Sequence, residues 1–183
     1  MRAAALLRLA LIAGPLFMPV GLIMGQTSPL SQDSDRAKPR GWLLGGSIGL
    51  PTFDGGTSPD LFTVALHGTQ LRRGGLGADF AIGTMPRALS EGVAVGFARA
   101  GVALPFQVSQ GVLMLPSAGI TLAGAATGDG GGATNGLNAG LAAVMFGTGS
   151  VGVRSGVTWH LFRNTGTSVF LWEIGLVHVP RPH

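Results

Sequence analysis

The stretch SGVTWHLFRNTGTSVFLWEIGL, residues 155–176, decides the fold, because its character changes at every second residue. Trp159 stands beside His160, and Trp172 stands beside Glu173. Side chains that alternate with a period of two lie on opposite faces of a β-strand. Between the two alternating halves, residues 163–166 (RNTG) are typical of a tight turn. The stretch therefore predicts a β-hairpin with one apolar and one polar face.

The same test along the chain predicts eight strands, at residues 42–50, 61–69, 76–84, 92–104, 112–124, 136–146, 151–162 and 168–176. The connecting segments are too short for crossover helices, so neighbouring strands should pair antiparallel. In residues 92–104 the apolar parity holds Val93, Val95 and Phe97 but then reaches Arg99. This slip predicts either a bulge or the end of the apolar band.

Composition indicates which solvent the apolar faces meet. Charged residues make up 11% of the 183 residues, against about 25% in a typical soluble domain. They cannot cover an eight-stranded barrel in water, so we expect the apolar faces to contact lipid. In lipid every backbone polar group must be paired, which requires a closed barrel. The 32 Gly residues suit the narrow interior of eight strands. We predict an all-β, eight-stranded antiparallel up-and-down transmembrane β-barrel.

The regions outside the barrel have their own composition. Residues 1–25 resemble a signal peptide, with Arg2 ahead of an apolar run; an uncleaved membrane anchor is the alternative. Residues 26–41 are polar and predict a disordered leader. The barrel is expected over residues 42–179, followed by a tail at residues 180–183.

Charge gives no reason to expect a nucleic-acid partner. The formal charge of +4 falls to +2 once residues 1–25 are removed, because Arg2 and Arg8 leave with them. The sequence also has no basic stripe interleaved with aromatic residues.

Pairing the last two strands around the Asn164–Thr165 turn fixes a register. It sets Trp159 opposite Phe170 and Val157 opposite Trp172. The aromatic side chains should form an interfacial girdle, a belt of rings at the membrane surface. Its predicted members are Trp159, Phe170 and Trp172 at one rim, and Trp42 at the opposite rim.

The few charged residues of the strands should lie together inside the barrel. We predict a lumen ion-pair cluster of Asp79, Arg99, Arg154 and Glu173, with Arg154 and Glu173 as diagonal neighbours. Buried charges need partners, and breaking such a pair costs about 3–5 kcal/mol. The cluster could be a structural plug, which we favour, or the gate of a very narrow pore.

No catalytic, cofactor or metal site is predicted. The chain has no Cys, and the Gly-rich segments lack the Lys and Ser/Thr of a phosphate-binding loop. His67 and His160 fall on inward parities and are expected to be hydrogen-bonded fillers. His67-Gly68-Thr69 is a faint echo of the His and Ser of barrel enzymes that modify lipids.

An apparent signal peptide, a polar leader and eight alternating strands together resemble the small outer-membrane β-barrel proteins of the OmpA and OmpX type. The resemblance covers Trp42 to about Val179 and rests on pattern, without a sharp motif. It implies a location in the outer membrane and insertion by the barrel-assembly machinery. The chain departs from that family because it has no Tyr and because no aromatic residue closes its last strand.

The expected function is a structural, envelope-integrity or adhesion role for a monomer in outer-membrane lipid, with a very narrow pore as a variant. One alternative is an outer-membrane enzyme that modifies lipid. The other is a helical inner-membrane protein with spans at residues 6–25, 112–126 and 136–153.

Overall fold

A computed structural model describes residues 41–53, 56–57, 61–72 and 75–178. The predicted signal peptide, the tail at residues 180–183 and all of the leader except Gly41 lie outside the described residues. Ten strands and one short helix are formed by the described residues. The strands are β1 (Gly41–Phe53), β2 (Gly56–Thr57), β3 (Thr63–Leu71), β4 (Gly77–Thr84), β5 (Ala94–Ala103), β6 (Phe106–Ser109), β7 (Val112–Thr127), β8 (Gly130–Phe146), β9 (Val151–Phe162) and β10 (Ser168–His178). The helix, α1, spans Pro86–Ser90.

The sheet is a closed barrel of eight strands, as predicted. Its order is β1-β3-β4-β5-β7-β8-β9-β10, and each strand is antiparallel to its neighbour. β10 pairs in turn with β1, from Leu44↔His178 to Phe53↔Val169. The other two strands are short, since β2 pairs only with β1 and β6 pairs with β7. Each of the eight strands thus pairs with a neighbour on both sides, which is what a lipid environment requires.

Burial follows the period of two. In β3, Thr63, Ala65 and His67 are buried, whereas Val64 and Leu66 are exposed. The exposed apolar side chains surround the barrel and include Leu44, Ile48, Leu66, Ile82, Ile120, Leu122, Leu137, Leu141, Ile174 and Leu176. An apolar belt of this extent would promote aggregation in water, whereas in a bilayer it contacts the lipid acyl chains.

The predicted faces of β5 are wrong. Arg99 is buried, and its registers with Ala81 and Thr121 belong to uninterrupted ladders, so neither a bulge nor the end of a band is present there. Arg99 shares its inward parity with Val95 and Phe97, which line a cavity inside the barrel. The outward parity holds Ala94, Gly96, Ala98 and Ala100. The prediction failed because it assumed that only small or polar residues face inward.

Two predicted connectors are partly strand. Residues 125–135 were expected to connect two strands, but β7 and β8 stay paired up to Thr127↔Gly130, and only Gly128 and Asp129 form the turn. Residues 105–110 contain β6. Residues 125–135 are mostly Gly and Ala, whose side chains are too small to show alternation, and β6 has only four residues, so neither segment gave a periodic signal.

No helix among the described residues is long and apolar enough to cross a membrane. The proposed helical spans at residues 112–126 and 136–153 are instead occupied by β7, by β8 and by the start of β9. The helical alternative is therefore wrong for these two segments. Its third span, residues 6–25, lies outside the described residues.

The lumen has three layers. We call the end where β1 begins and β10 ends the terminal end, and the opposite end the loop end. The terminal end is filled by an apolar cluster of Leu43, Leu71, Leu113, Leu115, Ala142, Val144 and Val177. Buried polar and charged side chains form the middle layer. A partly open, largely apolar cavity of about 190 Å³ lies at the loop end.

Candidate functional site in the barrel lumen

The four residues of the predicted ion-pair cluster all point into the lumen. Arg99, Arg154 and Glu173 are 4% exposed and Asp79 is 7% exposed. They come from four strands, β4, β5, β9 and β10. The alternation of each strand turns these side chains inward, because their chain neighbours Phe80, Ala98, Val153 and Ile174 take the lipid-facing positions.

Arg99 and Glu173 form an ion pair across the barrel. Nη1 of Arg99 lies 3.3 Å from Oε2 of Glu173, and both side chains are 2% exposed. β5 and β10 are four steps apart in either direction around the eight strands, so the pair spans the full width of the lumen. Nη1 also donates to Thr158 Oγ1 at 2.6 Å, and Ser47 Oγ donates to Glu173 Oε1 at 3.1 Å. The bond from Ser47 satisfies the second carboxylate oxygen of Glu173, while Thr158 accepts from the same Nη1 that pairs with Glu173.

The expected link between Arg154 and Glu173 takes a different form. The register does make them diagonal neighbours, because Arg154 is opposite Gly175 and Glu173 is opposite Gly156. The ion pair of Glu173, however, is with Arg99. Nη1 of Arg154 instead lies 3.5 Å from Nδ1 of His67. The sequence shows neighbours along a sheet, but it does not show which side chains meet across the lumen.

Asp79 is held by a local bond. Thr69 Oγ1 donates to its Oδ1 at 2.6 Å between the adjacent strands β3 and β4. Several buried nitrogens nearby have no hydrogen-bond partner among the described residues: Nε and Nη2 of Arg99, Nε of Arg154 and Nε2 of His67. Buried groups of this kind are usually satisfied by internal water. The layer thus combines a fixed cross-brace with buried nitrogens that the described side chains leave unsatisfied.

The two histidines lie in different layers. His67 is in the middle layer, beside Arg154. Nδ1 of His160 lies 2.9 Å from Thr121 Oγ1, and Asn138 Nδ2 donates to the same hydroxyl at 2.9 Å. The His160 ring stacks on Phe162, with centroids 6.2 Å apart, and meets Phe97 edge-on. His160 is a hydrogen-bonded packing group, as expected.

The predicted echo of a lipid-modifying enzyme has no matching geometry. Thr69 bonds to Asp79, and the nearest bonded partner of His67 is Arg154. The two side chains are therefore engaged with different groups. No cluster of three or more His, Asp or Glu side chains suited to a metal ion occurs within the part of the chain that the structure describes.

The predicted girdle residues lie on the outer surface in the expected register. Phe170 is opposite Trp159 and Trp172 is opposite Val157, next to the β9–β10 turn. Trp42 is 39% exposed at the terminal end, where its ring lies 5.8 Å from that of Phe80. Phe80 is an outward aromatic that the sequence analysis did not assign to the girdle. Its outward parity in β4 was the available signal.

Sequence reasoning also missed the neutral partners of the lumen network. Ser47, Thr69, Thr121, Asn138 and Thr158 all bond to a charged side chain or a histidine, or to a residue that does. Inward parity could have placed them inside the barrel. It could not have shown which residue each one bonds to.

Comparisons with known proteins rest on structure alone, since no protein-family model and no curated protein sequence matches the chain. Neisserial surface protein A superposes with a TM-score of 0.56 at 12% identity, covering 75% of this chain and 95% of that one. The attachment invasion locus protein Ail of Yersinia pestis gives 0.55 at 10% identity, with coverages of 78% and 99%. The N-terminal β-barrel domain of Pseudomonas aeruginosa OprF gives 0.54 at 10% identity, with coverages of 76% and 99%.

The fold is that of a small outer-membrane β-barrel. The resemblance found in the sequence is confirmed at this level, and so is the eight-stranded architecture. The neighbours also support the predicted outer-membrane location. At 10–12% identity they share the fold with this barrel, and their roles do not transfer with it.

Proposed function

We propose that this chain is a monomeric outer-membrane β-barrel with a structural, envelope-integrity role, and that its lumen is sealed. The observation that carries the proposal is the Arg99–Glu173 pair, which joins opposite walls of the barrel. Two side chains that meet across the lumen, each anchored to its own wall, obstruct the lumen and also brace the barrel. The ion-pair cluster is then a structural plug.

The terminal end supports a sealed lumen. The seven residues of its apolar cluster are each at most 4% exposed. Water and ions would have to pass through packed Leu and Val side chains there, in addition to the charged layer. A narrow pore is therefore the less favoured variant of the proposal. Insertion by the barrel-assembly machinery is part of the proposal, since the lipid-facing surface must reach a bilayer without aggregating.

Conductance tests the seal. The purified full chain should give no discrete current steps in planar bilayers, and neither should Glu173→Gln wherever it folds. An outer-membrane porin with an open channel, inserted into the same bilayers, is the positive control. Steady current steps in the wild-type protein would overturn the plug. Steps that Glu173→Gln alone alters would show that the cluster is a gate.

The structural role is tested in cells. Deleting the gene should raise sensitivity to detergents and large antibiotics, and re-expression should restore resistance in proportion to the amount of folded barrel. Full loss of rescue by Glu173→Gln at wild-type levels of folded barrel would contradict a structural role, because the cluster would then have a function of its own.

Adhesion is a second candidate, favoured by the β7–β8 hairpin. Its pairing with β9 begins only at Gly136↔Phe162, so residues 130–135 of β8 extend beyond that neighbour at the loop end. The Yersinia pestis neighbour is named for attachment and invasion. Deleting residues 126–131 should lower binding of barrel-expressing bacteria to host cells if this hairpin adheres. Unchanged binding at equal surface amounts would remove the candidate.

We assign the barrel no enzymatic activity. The lumen hydroxyls of Thr69, Thr121 and Thr158 are hydrogen-bonded to Asp79, His160 and Arg99 respectively. Lipid turnover by purified protein, lost in both His67→Ala and His160→Ala, would overturn this assignment in favour of the lipid-modifying enzyme.

A further inference from the structure

The cavity at the loop end is a separate chamber of the lumen. It measures about 190 Å³ and is lined by the strand ends nearest the loops. Its floor is the pair of His160 and Thr121, whose Nδ1 and Oγ1 atoms are 2.9 Å apart. The braced layer begins directly below the chamber. On β9, β5 and β10, the residues Thr158, Arg99 and Glu173 each lie two positions nearer the terminal end than a residue that lines the cavity. The chamber is therefore closed on the side that faces the terminal end.

The walls are apolar and rich in aromatic rings. They include Phe53, Val95, Phe97, Phe162, Val169 and Leu171, and none of the described residues that line the cavity carries a carboxylate, ammonium or guanidinium group. The rings of Phe97, His160 and Phe162 contact one another along one side. Rings held in this way offer both a face and an edge to a further aromatic ring. An ion would lose its hydration here without gaining a charged partner from the described lining.

Two buried hydroxyls line the same cavity without a partner. Oγ1 of Thr63 and Oγ1 of Thr134 are buried and have no hydrogen-bond partner among the described residues, and Thr63 is 2% exposed. Thr63 is on β3 and Thr134 is on β8, which are opposite strands of the barrel. A buried hydroxyl without a partner is unfavourable. Because Thr63 and Thr134 both line the chamber, their hydroxyls are the groups that would hold the polar atom of a ligand.

We propose that this chamber is a binding site for a small uncharged aromatic molecule that carries one hydroxyl group, a simple phenol or an aryl alcohol. Size supports this class, because an engineered apolar cavity of about 150 Å³ accepts benzene, and this chamber is somewhat larger. The ring packs among Phe97, Phe162 and His160. The ligand hydroxyl bonds to Thr63 or Thr134. The site goes beyond the structural role proposed above and does not depend on it.

The test is a titration of 4-fluorophenol followed by ¹⁹F NMR, with the full barrel in lipid nanodiscs at neutral pH. Ala123 lines the chamber, so Ala123→Phe should fill it and abolish saturable binding. Ala118→Phe is the matched control, since Ala118 is on the same strand but exposed on the outer face. Identical isotherms for wild type and Ala123→Phe would mean partition into lipid only and would overturn the site. Folding of each variant is checked by its heat-dependent migration in detergent gels.

Thr63→Val keeps the shape of the side chain, so it should fold even where Ala123→Phe does not. It should weaken 4-fluorophenol binding about fivefold. Fluorobenzene should bind the wild-type barrel more weakly than 4-fluorophenol, and the difference should shrink in Thr63→Val. Equal binding of both compounds to wild type would overturn the role of the hydroxyls. Displacement by 1-hexanol at the affinity of phenol would show that the site prefers an alkyl chain, as in a lipid tail, and would overturn the aromatic assignment.

Discussion

Arg99 on β5 reaches across the lumen to Glu173 on the opposite strand β10, with Nη1 3.3 Å from Oε2 and both side chains almost fully buried. The two strands share no backbone hydrogen bonds. The pair is therefore a cross-brace through the interior, in addition to the ladders that run around the wall. Its energetic consequences can be separated from those of the sheet.

Glu173→Gln should destabilise the barrel by about 3–5 kcal/mol, because it leaves the Arg99 guanidinium buried without its counter-charge. Urea unfolding in lipid vesicles, followed by tryptophan fluorescence, measures the change. Glu91→Gln is the matched control: its partner Arg87 lies at 3.3 Å, but the two side chains are 63% and 49% exposed. That change should cost at most about 1 kcal/mol. Equal effects of the two substitutions would contradict the brace.

Removing both charges should be less damaging than removing one. Arg99→Leu with Glu173→Leu replaces the ion pair by apolar groups, which is often neutral or even stabilising in protein interiors. We expect the double variant to unfold at higher urea than either single variant, with a coupling free energy of about 1–3 kcal/mol in the double-mutant cycle. Additive losses would show that the two side chains do not interact across the lumen.

A close approach of two strands depends on glycine. Gly101 and Gly119 are opposite each other on β5 and β7, and a Cβ added to Gly101 would lie 2.7 Å from the Cα of Gly119. Gly101→Ala should therefore cost about 1–3 kcal/mol through overpacking. Gly128→Ala is the control, because no atom lies within 4 Å of a Cβ at that position. The same unfolding titration compares them, and a loss at Gly128 as large as that at Gly101 would argue against overpacking as the cause.

The faces of β5 can be tested with lipids that carry bromine on their acyl chains. In a background with the three Trp residues changed to Phe, a Trp at position 100 should be strongly quenched, because Ala100 is exposed on the outer face. A Trp at position 97 should be much less quenched, because Phe97 lines the internal cavity. The reverse result would restore the sequence prediction that Phe97 faces lipid.

The sequence predicted the barrel well because each hairpin carries its own evidence. Trp159 beside His160 and Trp172 beside Glu173 set the faces of β9 and β10, and the RNTG turn set their register. The prediction for the faces of β5 failed because Phe97 and Arg99 both point inward. An aromatic side chain there fits only because the loop end holds a cavity, which no local pattern reveals.

Pairings across the lumen lay beyond sequence reasoning for a related physical reason. Alternation states which way a side chain points, while a contact such as that of Arg154 with His67 depends on strand stagger and on closure. Arg154 had been expected to act with Glu173, its diagonal neighbour in sequence register. In the structure Glu173 forms its ion pair with Arg99, because these two side chains are long enough to meet across the lumen.

The pairing of β1 with β10 has a consequence for how the chain must mature. These strands are the first and last of the barrel, so the ladder from Leu44↔His178 to Phe53↔Val169 can form only when every intervening strand is present. Until then two long edges lie open, and Glu173, on the final strand, cannot neutralise Arg99. Closure of the barrel should therefore wait for the last strand, and folding should be slow and all-or-none. A nascent chain that stops before residue 168 would carry a bare cation and an open sheet, which quality-control proteases could recognise.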